Sequence, residues 1–160
     1  MLPSGACARI LPAPISGSAM DKQQMNAKRM LFLVVIASAE ASIGLGLLFL
    51  PSVPFALLLG LESATVDAIF AGRIAGAALL AIGVASWVAR TDELNPSLFG
   101  LLIGILIYNT AVSILLIYAN AVLKMTGGML WPTVAFHAIL AVWGGLLLRG
   151  IPSELRGKNR

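Results

Sequence analysis

FAGRIAGAALLAIGVASWVAR, residues 70–90, is a run of apolar and small residues with one arginine, Arg73, inside it. A helix rises 1.5 Å per residue, so about 20 such residues cross the hydrocarbon core of a bilayer. The run is also continuous, whereas a strand of a membrane barrel alternates polar and apolar positions over about ten residues. Three similar runs lie at about 30–50, 97–122 and 130–148, and each carries one polar residue: Glu40, Asn109 and His137. The fold class that follows is all-α. The chain reads as an integral membrane bundle of four transmembrane helices with short loops, packed around that polar set.

Composition points the same way. Apolar residues make up 59% of the 160 and charged residues only 11%, and mean hydropathy is +0.93. A soluble domain carries roughly a quarter charged residues, because water must wet its surface. Here lipid takes the place of water over most of that surface. Four spans use most of the chain and leave no room for a soluble catalytic domain. The net charge of +4 sits mainly at helix ends, where it meets anionic headgroups, so nucleic acid is not an expected partner. The single cysteine, Cys7, gives neither an intramolecular disulfide nor a cysteine-based metal cluster.

Residues 1–29 begin rich in Pro, Ser, Gly and Ala without an apolar period, and the segment is expected to be disordered. Met20 opens MDKQQMNAKR, an ordinary lead-in to a first helix, and is the expected start of translation. Lys28, Arg29 and the Ala37-Ser38-Ala39 triplet before Glu40 also resemble a signal peptide and its cleavage site. The apolar run resumes at Ile43, however, and cleavage would strand a piece too short to span. Pro51 and Pro54 end the first helix. The following PFALLLGLES is too short to cross and is expected at the interface or dipping back in. TDELNP makes the polar loop before the third span, with Pro96 as helix starter. Residues 150–160 form a polar tail.

Of eleven lysines and arginines, only Lys124 falls in a loop on the far side of the spans and only Arg73 within a span. Positive residues mark the cytoplasmic side, which puts both termini there, in a bacterial inner membrane. Trp87, Tyr118 and Trp131 fall near helix ends, where interfacial aromatics belong.

Position then gives depth. Glu40 and Asn109 lie near the midplane, and Arg73 and His137 about two turns below the outer surface. Glu40 shares a helical face with Ala37 and Gly44, Arg73 with Gly76 and Ala77, and His137 with Ala141 and Gly144. Small neighbours of this kind are what close helix packing in lipid uses, so all four polar side chains are expected to face inward. A charge at the centre of a span costs about 2.5–3.5 kcal/mol on insertion scales. Glu40 and Arg73 offset that cost if they pair. The alternatives are a neutral Glu40 and an Arg73 that snorkels to the headgroups. Asn109 and Tyr108 read as interhelical hydrogen-bond glue. One histidine gives no bis-His haem ligation and nothing else supplies a metal set, so no cofactor or metal is expected.

In size, in four spans and in its GRIAGAALLAIG segment (72–83), the chain resembles short four-helix bacterial inner-membrane proteins of unknown function, including DoxX-like ones. That likeness implies no activity. Glu40 in a first helix also resembles the small multidrug-resistance transporters, which exchange protons for cations at such a glutamate. Those chains are shorter and balance their loop charges, and here Arg73 stands ready to neutralise the carboxylate. No nucleophile–base pair, phosphate loop or redox cysteine pair appears, so an enzyme is not expected. The expected role is a non-enzymatic accessory or binding subunit with a small polar pocket open toward the outer side. Its partners are the lipid bilayer, an unidentified small molecule and either its own copies or another membrane protein. A proton-coupled small-solute transporter using Glu40 comes second, and a quinone- or lipid-binding redox accessory third.

Overall fold

The computed structural model describes residues 17–151. Among them five helices form and no strand does: α1 (Gly17–Phe49), α2 (Ser52–Leu59), α3 (Val66–Ala89), α4 (Pro96–Ala121) and α5 (Leu130–Arg149). All but α2 are long and apolar enough to cross a membrane. The four expected spans are therefore present within two residues of their expected ends, except at the start of α1.

That start is a correction. Residues 17–29 were expected to be disordered with the rest of the N-terminal segment, but they continue α1 toward its N-terminus. Good helix formers fill 20–29, and tertiary contacts hold the segment. Met25 lies beside Gly150 at the end of α5. Arg29, only 7% exposed, donates from Nη2 to the Asp92 carbonyl in the α3–α4 loop at 2.8 Å. The remaining expectations for residues 1–16 and for the tail beyond 151 lie outside the described residues.

Helix ends follow local chemistry. Asn95 caps α4 by accepting from the Leu98 N–H at 2.9 Å, with Pro96 at the first helical position, where its missing N–H costs nothing. Thr65 caps α3 through the Ala68 N–H. The short apolar piece after Pro51 is α2, closed by Gly60 in a left-handed conformation at φ 71°. It is fastened across the bundle rather than left loose. The Met129 N–H donates to the Leu57 carbonyl at 2.8 Å. Gly127 approaches the Leu57 and Leu58 backbone so closely that no Cβ fits there.

The spans associate as two antiparallel pairs, α1 with α3 and α4 with α5. Backbones nearly touch in the first pair. A Cβ on Gly44 would stand 2.7 Å from the Leu80 nitrogen, and one on Gly76 would stand 2.7 Å from the Gly44 carbonyl oxygen. Large side chains join the pairs at the end where α1 and α4 begin and α5 finishes. Phe32, Leu33, Ile36, Leu98, Leu102, Ile105, Leu140 and Ile151 are all buried there, with Trp143 edge-on to Phe32 at 5.3 Å. Beyond Ile36 and Ile105 the space between the pairs holds Glu40, Asn109 and His137 among apolar side chains.

Candidate functional site

Each helix of the bundle buries one stripe. On α1 it includes Leu33, Ile36, Ala37, Glu40, Gly44 and Leu47, and on α4 Leu98, Leu102, Ile105, Asn109 and Ser113. On α5 it is Leu130, Val134, His137, Leu140 and Gly144. Steps of three and four keep each set on one helical face. Glu40, Asn109 and His137 all fall on these stripes, with exposures of 1%, 0% and 8%. The structure thus brings together three of the four polar residues singled out in the sequence.

Arg73 is the exception. The buried stripe of α3 is Gly72, Gly76, Gly83 and Ser86, and Arg73 lies off it on the exposed face. It makes no hydrogen bond or ion pair among the described residues. The expected Glu40–Arg73 pair is absent because Gly44 and Gly76 bring α1 and α3 too close for a long side chain between them. Of the two small neighbours that suggested an inward face, Gly76 is buried on the seam but Ala77 is exposed. Alanine suits lipid as well as a seam, so it marks neither.

Tyr108 takes the place intended for Arg73. Its hydroxyl donates to Glu40 Oε2 at 3.1 Å, joining α1 to α4. The other carboxylate oxygen, Oε1, is buried with no hydrogen-bond partner. On the α4–α5 side, the Asn109 amide nitrogen donates to the Ile105 carbonyl at 2.8 Å, which turns Oδ1 toward His137 Nδ1, also at 2.8 Å. Oδ1 only accepts, so His137 carries a proton on Nδ1, which in the neutral ring leaves the lone pair on Nε2. The imidazole is held edge to face by Tyr108 at 5.8 Å and Phe136 at 5.7 Å.

Glu40, Tyr108 and His137 border one cleft of about 270 Å³ between the two helix pairs. Its other walls are mostly apolar, including Ile43, Leu47, Leu79, Val112 and Leu116, and Leu58 of α2 contributes from the capping end. Thr133 adds a hydroxyl. This is just below the usual range for ligand pockets, with the usual few polar groups in an apolar wall. Asn109 stands behind His137 and orients it. No group of three or more His, Cys, Asp or Glu suited to a metal ion occurs among the described residues.

Thr133 is a polar cleft residue that sequence reasoning passed over, and Tyr108, read there as interhelical glue, both makes that bond and borders the cleft. A usable signal exists for Tyr108: it lies mid-span, away from the headgroup belt, where a phenol needs a hydrogen-bond partner. Compared with protein-family models, curated proteins and solved structures, the chain has no match in any of the three.

Proposed function

We propose that this is a multi-pass protein of the bacterial inner membrane, both termini cytoplasmic, and that it acts as a non-enzymatic binding or accessory subunit. Its ligand is a small, largely apolar molecule held in the cleft at Glu40. One observation carries the reading: a carboxylate oxygen buried without a partner, on a residue that lines a cleft. Leaving such a group unsatisfied costs about 1–3 kcal/mol, and more if it is charged. A leucine would leave no such group unsatisfied. The orientation rests on the basic residues clustered at the end where Arg29, Arg90 and Arg149 lie, by the positive-inside rule.

Native mass spectrometry of protein purified in mild detergent tests the reading. The wild-type chain retains a stoichiometric small molecule, or gains thermal stability from one in a screen. Ala39→Phe, which fills the cleft, loses that response. A wild type that responds to nothing, or a filled variant that responds equally, sinks the idea.

A second reading, proton-coupled transport through Glu40, draws on the two-pair construction. Each pair has its own seam and the cleft lies between them, the arrangement in which one body rocks against another. Proteoliposomes separate the two: a transporter moves protons with solute and Glu40→Gln stops it, while a binding subunit moves neither alone.

A further inference from the structure

The donors around the cleft are already committed. The one O–H of Tyr108 goes to Glu40 Oε2, and the one N–H of the neutral His137 ring goes to Asn109 Oδ1. The Asn109 amide itself is spent on the Ile105 carbonyl. What remains on the residues that border the cleft is acceptor capacity: Glu40 Oε1, itself buried, a lone pair on the Tyr108 oxygen, and Nε2 of the neutral His137 ring. Only the Thr133 hydroxyl offers a donor. A quinone, ketone or carboxylate, which brings acceptors alone, finds a single donor, the Thr133 hydroxyl, when Glu40 is ionised.

We propose, on the basis of the binding reading above, that the cleft takes an apolar primary or secondary amine in its ammonium form, its N–H groups donating to Glu40 and His137 Nε2. The positive charge answers the otherwise uncompensated carboxylate, which a turn about its last bond brings to bear on the ligand. The faces of Tyr108 and Phe136 add cation–π attraction. The hydrocarbon body lies along Ile43, Leu47, Val112 and Leu116. A quaternary ammonium fits less well. It carries the charge but no N–H, and so leaves Nε2 and Oε1 without donors.

The test compares three probes on the full chain in phosphatidylcholine nanodiscs, with empty nanodiscs subtracted, by titration calorimetry. The probes are 4-phenylbutylammonium, its N,N,N-trimethyl derivative and 4-phenylbutanol. The primary ammonium binds saturably and about tenfold or more tighter than either of the others, the scale of one charge-assisted hydrogen bond. Glu40→Gln removes its advantage over the alcohol, and His137→Phe narrows its advantage over the trimethyl form. Equal binding of ammonium and alcohol, lost in Ala39→Phe, overturns the amine assignment and leaves the binding reading standing. Equal binding of the primary and trimethyl forms overturns the N–H assignment. Saturable binding of none of the three overturns the amine assignment, and the ligand screen above decides the binding reading by itself. Where Glu40→Gln fails to fold, the comparison of probes on the wild-type chain decides alone.

Discussion

Gly72-x-x-x-Gly76 on α3 and Gly100-x-x-x-Gly104 on α4 are the same pattern in sequence, and the fold treats them in opposite ways. The first is buried: a Cβ on Gly72 would meet the Phe55 ring at 2.6 Å, and one on Gly76 the backbone of α1. The second faces outward, with nothing within 4 Å of either position. The two helix pairs are accordingly built by different means. The α1–α3 seam is backbone on backbone at Gly44, Gly76 and Gly83, and it relies on dispersion between closely approaching main chains. The α4–α5 seam carries the Asn109–His137 hydrogen bond instead. Small residues and polar glue are the two means of holding helices together in lipid, and this molecule assigns one to each pair. A glycine pair alone does not say which face is packed; the partner's glycine does.

The comparison breaks most visibly at the first seam. Gly76→Leu forces a side chain into the Gly44 carbonyl and Leu48 nitrogen, and destabilises by about 3 kcal/mol or more, read as unfolding in a detergent titration. Asn109→Leu tests the second seam, since it leaves His137 Nδ1–H buried without an acceptor and costs about 1–2 kcal/mol. Adding His137→Phe recovers part of that loss, because the orphaned donor goes too. Gly104→Leu, the matched control for Gly76→Leu, changes stability by less than about 0.5 kcal/mol. Last, Glu40→Gln and Arg73→Gln combine additively, within about 0.3–0.5 kcal/mol, as residues without shared partners do. A larger coupling would mean that Arg73 reaches the acid after all.

The same contrast explains what the sequence made legible. Four spans could be read because a continuous apolar run of about 20 residues or more has no other stable form in a chain this poor in charge. Glu40, Asn109 and His137 were placed correctly because each recurs with small or large apolar residues at steps of three and four on a stripe that the fold then buried. Arg73 was misplaced for want of one further fact, the phase of α3. Gly72, Gly76 and Gly83 fix that phase, and an arginine next to Gly72 is turned about 100° from it. Reading Ala77 as a seam residue moved the assumed face to the wrong side. Tyr108 is the interhelical glue it was read as, but its partner Glu40 had been assigned to Arg73, since nothing in one sequence says which of two adjacent polar residues faces across to a particular helix. The α1 extension over 17–29 was invisible because the contacts that hold it, Asp92 and Gly150, are remote in the chain.

Synthesis order gives the Glu40–Tyr108 bond one more consequence. The two residues are 68 positions apart, so at about 5–20 residues per second the ribosome delivers Tyr108 about 3–14 s after Glu40. The glycine seam needs only α1 and α3, and so it closes while α4 is still being made. During that interval a nascent hairpin sits in the bilayer with its acid uncovered, carried in by the hydropathy of its neighbours alone. Tyr108 is the residue that ends the wait, by closing over Glu40.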